Sequence, residues 1–152
     1  MTEVRGKPVE FYDKARYLVE VDGIIYGGFM TCSPLGDKSG VITHYEGGSK
    51  DPYKKLGNNT YDTVTLERGL SDNMEFYEWR RGTKDGTLKG AAKRKNVRVI
   101  VQDEDQADKI AHKLGPMLIS SCICGPWDNK AEEVALETIT LEYSSYDREL
   151  LT

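Results

Sequence analysis

The feature that most constrains this chain is a two-residue turn between two β-rich runs. Tyr17-Leu18-Val19-Glu20-Val21 and Ile24-Ile25-Tyr26 flank Asp22-Gly23. An Asp-Gly pair suits a turn whose central residues both take positive φ, and β-branched and aromatic flanks prefer a pleated strand. The spacing predicts a β-hairpin. A lone hairpin is marginal in water, so other strands must complete a sheet with one buried face.

Those strands are legible by alternation. The second run continues through Gly27-Gly28 to Phe29–Cys32, where the glycine pair predicts a bulge or a close backbone approach. Val41–Tyr45 is a third candidate. In Tyr61–Leu66, Val64 and Leu66 share one face. Val97, Val99 and Val101 alternate with Arg98, Ile100 and Gln102. Met117–Cys124 is strand-like and ends at Gly125-Pro126. In Val134–Tyr143, Ile139, Leu141 and Tyr143 oppose Thr138, Thr140 and Glu142.

One helix interrupts the strands. Ser71-Asp72-Asn73 offers an N-cap, Asp72 and Glu75 have capping-box spacing, and Gly82 is placed to stop the helix after Trp79. Two stretches read as irregular: the polar segment from Glu46 to Asn59, of the kind that is usually functional, and the Gly/Lys segment Lys84–Lys95. Ala107, Ile110, Ala111 and Leu114 have helical spacing, yet the same residues fit an extended arm running into Pro116. Together these elements predict a mainly β fold, an antiparallel sandwich or barrel with one flanking α-helix. The domain spans 16–143, between a polar arm at 1–15 (with Val4, Val9, Phe11 and Tyr12) and a polar tail at 144–152.

Composition narrows the function. Lys and Arg number 21 and Asp and Glu 25, a net charge of −4. That mild acidity argues against a protein whose main task is to grip nucleic-acid phosphates. No apolar run approaches the roughly 20 residues of a membrane helix. Met1–Pro8 lacks the apolar core of a secretory signal, so synthesis in a cytoplasm is expected.

Catalytic constellations are not apparent. The histidines are His44 and His112, and no nucleophile-elbow, Walker A or zinc-protease pattern occurs. Cys122-x-Cys124 places two sulfurs on one strand face. The plain reading is two small residues packed on a sheet. The alternatives are a metal or redox pair completed by Cys32 or a histidine, as in a small β-barrel metal-binding module, and an intermolecular disulfide drawn from Cys32, Cys122 and Cys124. The basic run Lys89–Lys95 reads as a solvated loop or a salt-bridge donor. Asp103-Glu104-Asp105 reads as a turn. Trp79-Arg80-Arg81 fits a helix that buries Trp79 as well as it fits a base-stacking platform. No cofactor and no catalytic role are expected.

Several segments in register resemble a known family. They are Tyr17–Ile24, Gly27–Leu35, Tyr45-Glu46-Gly47-Gly48, Val64–Asp72 leading into Phe76-Tyr77-Glu78-Trp79, Gly125-Pro126 and Glu133–Leu141. In order and spacing they are similar to the tail tube (inner tube) protein of contractile phage tails and related phage-like injection systems, over roughly 16–143. The resemblance implies a ring-forming fold: hexameric rings of identical subunits, stacked into a hollow tube inside a contractile sheath. It implies sheath, baseplate and tail-terminator proteins as partners, transient passage of DNA or an effector protein, no membrane anchor, and a place in the virion tail after assembly in the host cytoplasm. It also implies that the segment 46–61 packs against the adjacent ring. Tyr45, Glu46, Gly47, Gly48, Lys50, Tyr53 and Lys55 are then candidate contacts, with Phe11 and Tyr12 of the arm. Apart from the resemblance, the helix residues Phe76, Tyr77 and Trp79 are a candidate anchor for either the core or a subunit contact. The family's extended segment before the proline favours strand over helix at Ala107–Leu114. Two departures stand out: Gly115 where the family usually has an aromatic, and the Cys122/Cys124 pair.

Overall fold

The structure, a computed structural model, describes residues 9–48 and 50–151. Val4 and the rest of 1–8, Ser49 and Thr152 lie outside the described residues. In chain order the elements are β1 (Tyr17–Val21), β2 (Ile24–Tyr26), β3 (Phe29–Cys32), β4 (Asp37–His44), β5 (Tyr53–Tyr61), β6 (Val64–Gly69), α1 (Glu75–Asp85), a 3-10 turn (Gly90–Lys93), β7 (Lys95–Gln102), β8 (Asp108–Cys124), β9 (Leu136–Tyr143) and β10 (Asp147–Leu150).

The predicted hairpin is present. Val21 pairs with Ile24, and Asp22 (φ 49) and Gly23 (φ 85) both take the positive φ that the turn demands. The main antiparallel sheet has the order β2-β1-β7-β8-β9-β6-β3, and β10 adds to β8. Its two end strands, β2 and β3, are consecutive in the chain and separated only by Gly27 and Gly28. A sheet whose ends are tied by two residues must curl until they meet, which makes a barrel. The glycine pair, expected as a bulge within one strand, therefore breaks it into β2 and β3, with Gly28 at φ 79. Helix α1 lies over that seam: Phe76 meets Tyr26 of β2 at 5.4 Å and Phe29 of β3 at 5.9 Å, both edge-on.

Alternation decides what goes inside. Val19, Val64, Leu66, Val97, Met117, Ile119, Ile139 and Leu141 are buried, drawn from five strands of the sheet. Ala107–Leu114 is extended, apart from its first residue, and belongs to the 17-residue β8. That strand bends at Gly115 (φ 65), so its first half pairs with β10 and its second with β9. A Cβ on Gly115 would collide with the Ser145 hydroxyl. A side chain is excluded there by both backbone and space, which accounts for the glycine in place of an aromatic.

Four expectations need correction. The segment 46–59 is not an irregular loop, because Tyr53–Tyr61 is a strand that pairs along β4. Its Lys, Asn and Thr residues hide the pattern because neither face is buried, so no alternation marks it. Helix α1 begins at Glu75 with no side-chain cap from Met74. The Asn73 carboxamide oxygen accepts from the Glu75 N–H at 3.1 Å in place of an Asp72 box. Nor does Gly82 stop the helix. It sits inside α1, where an added Cβ would fall 2.8 Å from Leu88 Cγ, and Gly86 at φ 82 ends the helix instead. The 144–152 tail is partly ordered in the sheet as β10.

Candidate assembly surface

The β4–β5 hairpin forms its own two-stranded sheet. Register places Val41 opposite Leu56 and Thr43 opposite Lys54 on one face, and Ile42 opposite Lys55 and His44 opposite Tyr53 on the other. Leu56 is 72% exposed, Tyr45 71%, Tyr53 63% and Val41 61%. A hairpin with apolar groups on both faces and no core of its own has little to stabilise it alone. Its root is fastened by Ser39 and Asn59 side chains 2.5 Å apart and by an exposed Lys38–Asp62 ion pair at 3.2 Å. Exposed apolar surface on a projecting element marks a contact surface. Of the predicted contacts, Tyr45, Glu46, Gly47, Gly48, Lys50, Tyr53 and Lys55 all fall on this hairpin or its tip and are exposed. Phe11 of the arm is exposed and Tyr12 is partly covered. The arm is tied by Arg16, which donates to the Glu104 carbonyl at 3.2 Å.

The helix anchor divides. Phe76 and Trp79 are buried, and the Trp79 indole N–H donates to the Lys93 carbonyl at 2.8 Å. This bond ties the 3-10 turn of the basic run beneath the helix, so that segment is not a free loop. Lys95 Nζ lies 5.7 Å from the Trp79 ring centre. Tyr77 points outward, 42% exposed, beneath Arg81.

Among the described residues one charge pair is buried, and sequence reasoning missed it. Arg68 and Glu137 face each other across β6 and β9, about 5% exposed or less, with Nε to Oε1 at 2.8 Å. Arg68 also donates to the Asn73 carbonyl at 3.2 Å, and its guanidinium lies 4.8 Å from the Phe76 ring centre. The signal was available: Arg68 continues the inward series of Val64 and Leu66, and Glu137 that of Ile139 and Leu141.

The three cysteines are free within the chain. Cys122 abuts the same pair, its Sγ 3.7 Å from Glu137 Oε2, and burial with that carboxylate pushes its thiol up to about 11. Burial pushes Cys32 up to about 11 as well. His44 is exposed on the hairpin. The His112 Nδ1 lies 2.8 Å from the Tyr146 hydroxyl, and burial, then Arg148, lower its pKa. Among the described residues, no three His, Cys, Asp or Glu side chains gather as a metal site. No helix among them is long and apolar enough to cross a membrane.

A seam-sealed antiparallel β barrel with one flanking helix and a projecting, uncovered hairpin defines a tail tube-like fold. The chain belongs to the T4-like virus tail tube protein gp19 family, whose model matches residues 13–147. That family is a structural tube protein. No curated protein matches the chain. Among solved structures, it is similar to a chain of the anti-feeding prophage tube-terminating cap, with TM-score 0.83 at 16% identity, over 99% of this chain and 100% of that one. A chain of the sheath–tube complex of the PVC extracellular contractile injection system gives 0.78 at 16%, over 97% and 95%. Hcp1 from Flavobacterium johnsoniae gives 0.56 at 14%, over 88% and 94%. At such identities the likeness is one of fold.

Proposed function

We propose that the protein is the inner-tube subunit of a contractile phage tail, assembled as stacked hexameric rings that form a conduit for DNA. The observation that carries this is the β4–β5 hairpin, apolar on both faces and left exposed by the described residues. A subunit that repeats around and along one axis uses heterologous contacts, and a projecting hairpin is suited to the axial kind. Family membership supports sheath, baseplate and terminator proteins as partners and a place in the tail particle. The net charge of −4 favours passage of DNA without capture, since 25 acidic residues outnumber 21 basic ones. A second reading, the tube of a protein-injection particle, draws support from the similarity to chains from the anti-feeding prophage and PVC assemblies.

Replacing residues 42–55 by Asn-Gly tests the hairpin's role, because Val41 and Leu56 already face each other and a two-residue turn can join them. The expected product is a folded subunit that forms rings but not stacks. Long tubes from this variant would refute the axial role.

A further inference from the structure

The two ends of the β6–β9 strand pair carry unlike surfaces. Strand β6 starts at Val64, just after Tyr61 ends the hairpin, and finishes at Gly69, which pairs with Leu136 at the start of β9. The hairpin therefore leaves from one end of this strand pair. The 125–135 loop and the segment Leu70–Met74 attach at the other, six residues or roughly 20 Å away.

That far end is apolar with an acidic surround. Trp127 is 68% exposed, Val134 72% and Ile123 61%. Residues Trp127, Glu133, Val134 and Leu136 line a shallow groove. The segments 70–75 and 125–135 carry Asp72, Glu75, Asp128, Glu132 and Glu133 against the single cation Lys130. The groove is held in place at its root. Gly125 N–H donates to the Leu136 carbonyl at 3.1 Å, and Leu70 N–H to the Ala135 carbonyl at 2.8 Å. Trp127 lies so close over Gly125 that a Cβ there would meet its Nε1 at 3.1 Å. The hairpin carries a small basic excess, Lys50, Lys54 and Lys55 against Glu46 and Asp51, among exposed Tyr53, Leu56 and Val41.

We propose that the Trp127 groove of one copy of this chain receives the β4–β5 hairpin of the next. This deepens the stacked-ring reading and rests on it. Apolar groups on both sides supply the buried area, and lysines against carboxylates set the register. Donor and acceptor sit at opposite ends of one strand pair, so a copy whose groove is filled from one side still presents its own hairpin at the far end to the next copy. The contact propagates along an axis, adding one ring to the next.

Charge exchange tests this on the full chain. Lys54→Glu with Lys55→Glu, and separately Glu132→Lys with Glu133→Lys, are compared with the four-fold exchange and the parent by negative-stain microscopy. Every altered side chain is on the surface, and an unchanged denaturation midpoint verifies the fold. The expected result is rings without stacks from each two-residue reversal, and stacks of parental length from the four-fold exchange. Trp127→Ala is expected to form rings without stacks too. Stacks of parental length from both reversals, or no recovery in the four-fold exchange, overturn the groove assignment while the stacked-ring reading stands. Reversals that yield monomers in place of rings overturn it as well, by making the contact lateral. A parent chain that forms no rings at all removes the stacked-ring reading, and the groove with it.

Discussion

Deleting one half of the Arg68–Glu137 pair should cost more than any surface change in this protein. The two groups lie 2.8 Å apart and are almost wholly shielded from water. In Glu137→Leu the guanidinium keeps the Asn73 carbonyl and the Phe76 ring face but loses its only anionic partner among the described residues. An uncompensated buried charge costs about 3–5 kcal/mol. For a domain of this size each kcal/mol moves the melting temperature by about 2–4 °C, so a fall of roughly 6–20 °C is expected. Arg68→Met should lose a comparable amount by stranding the carboxylate. The double variant, Arg68→Met with Glu137→Leu, removes both charges and fills similar volume, and it should recover most of the loss. Urea denaturation of the four proteins gives the coupling directly. Single losses below about 1 kcal/mol, or a double loss equal to the sum of the singles, would show that the pair is not acting as a buried unit.

Other consequences can be checked on the same material. Trp79→Ala should cost about 3–5 kcal/mol, since it empties a core site and strands the Lys93 carbonyl; an unchanged urea midpoint would contradict the packing of α1 on the barrel. His112 has a lowered folded pKa, so its neutral form is favoured in the fold. Its contribution to stability is therefore complete above the unfolded value near 6.5 and declines as pH falls from there toward the folded value. Denaturation midpoints across that window should fall less in His112→Phe than in the parent. At pH 8, a thiol reagent should modify exposed Cys124 first, because Cys32 and Cys122, held near 11, carry little thiolate; peptide mapping that found Cys122 modified first would contradict its burial beside Glu137.

What the sequence reveals depends on how many faces of an element are buried. Strands β6 and β9 bury one face each, so Val64/Leu66 and Ile139/Leu141 stand out as alternation, and Val97/Val99 do the same in β7, where Ile100 is buried on the other face as well. The Asp22-Gly23 turn is legible because its backbone demands those residue types. Strand β5 has no buried face, and Tyr53–Tyr61 looks like a loop until its pairing with β4 is seen. Gly82 looks like a helix stop because a glycine required for close packing against Leu88 has the same letter as one required for positive φ. Residues 107–114 have helical spacing only by coincidence: β8 bends at Gly115, and Ala111 and Leu114, both buried, lie on opposite faces of the strand. The Arg68–Glu137 pair escaped because charged residues are expected outside. The family resemblance singled out Tyr45–Lys55 as a segment of interest, whereas the Trp127 groove emerges only when the two ends of β6 and β9 are compared.

The account stands or falls on whether this chain completes itself with its own copies. Negative-stain micrographs of the purified full-length protein over a range of concentration measure that directly. Six-fold rings that stack into hollow tubes as concentration rises are the predicted result. A population that stays monomeric at the highest concentration reached, with its hairpin exposed to solvent, would contradict it.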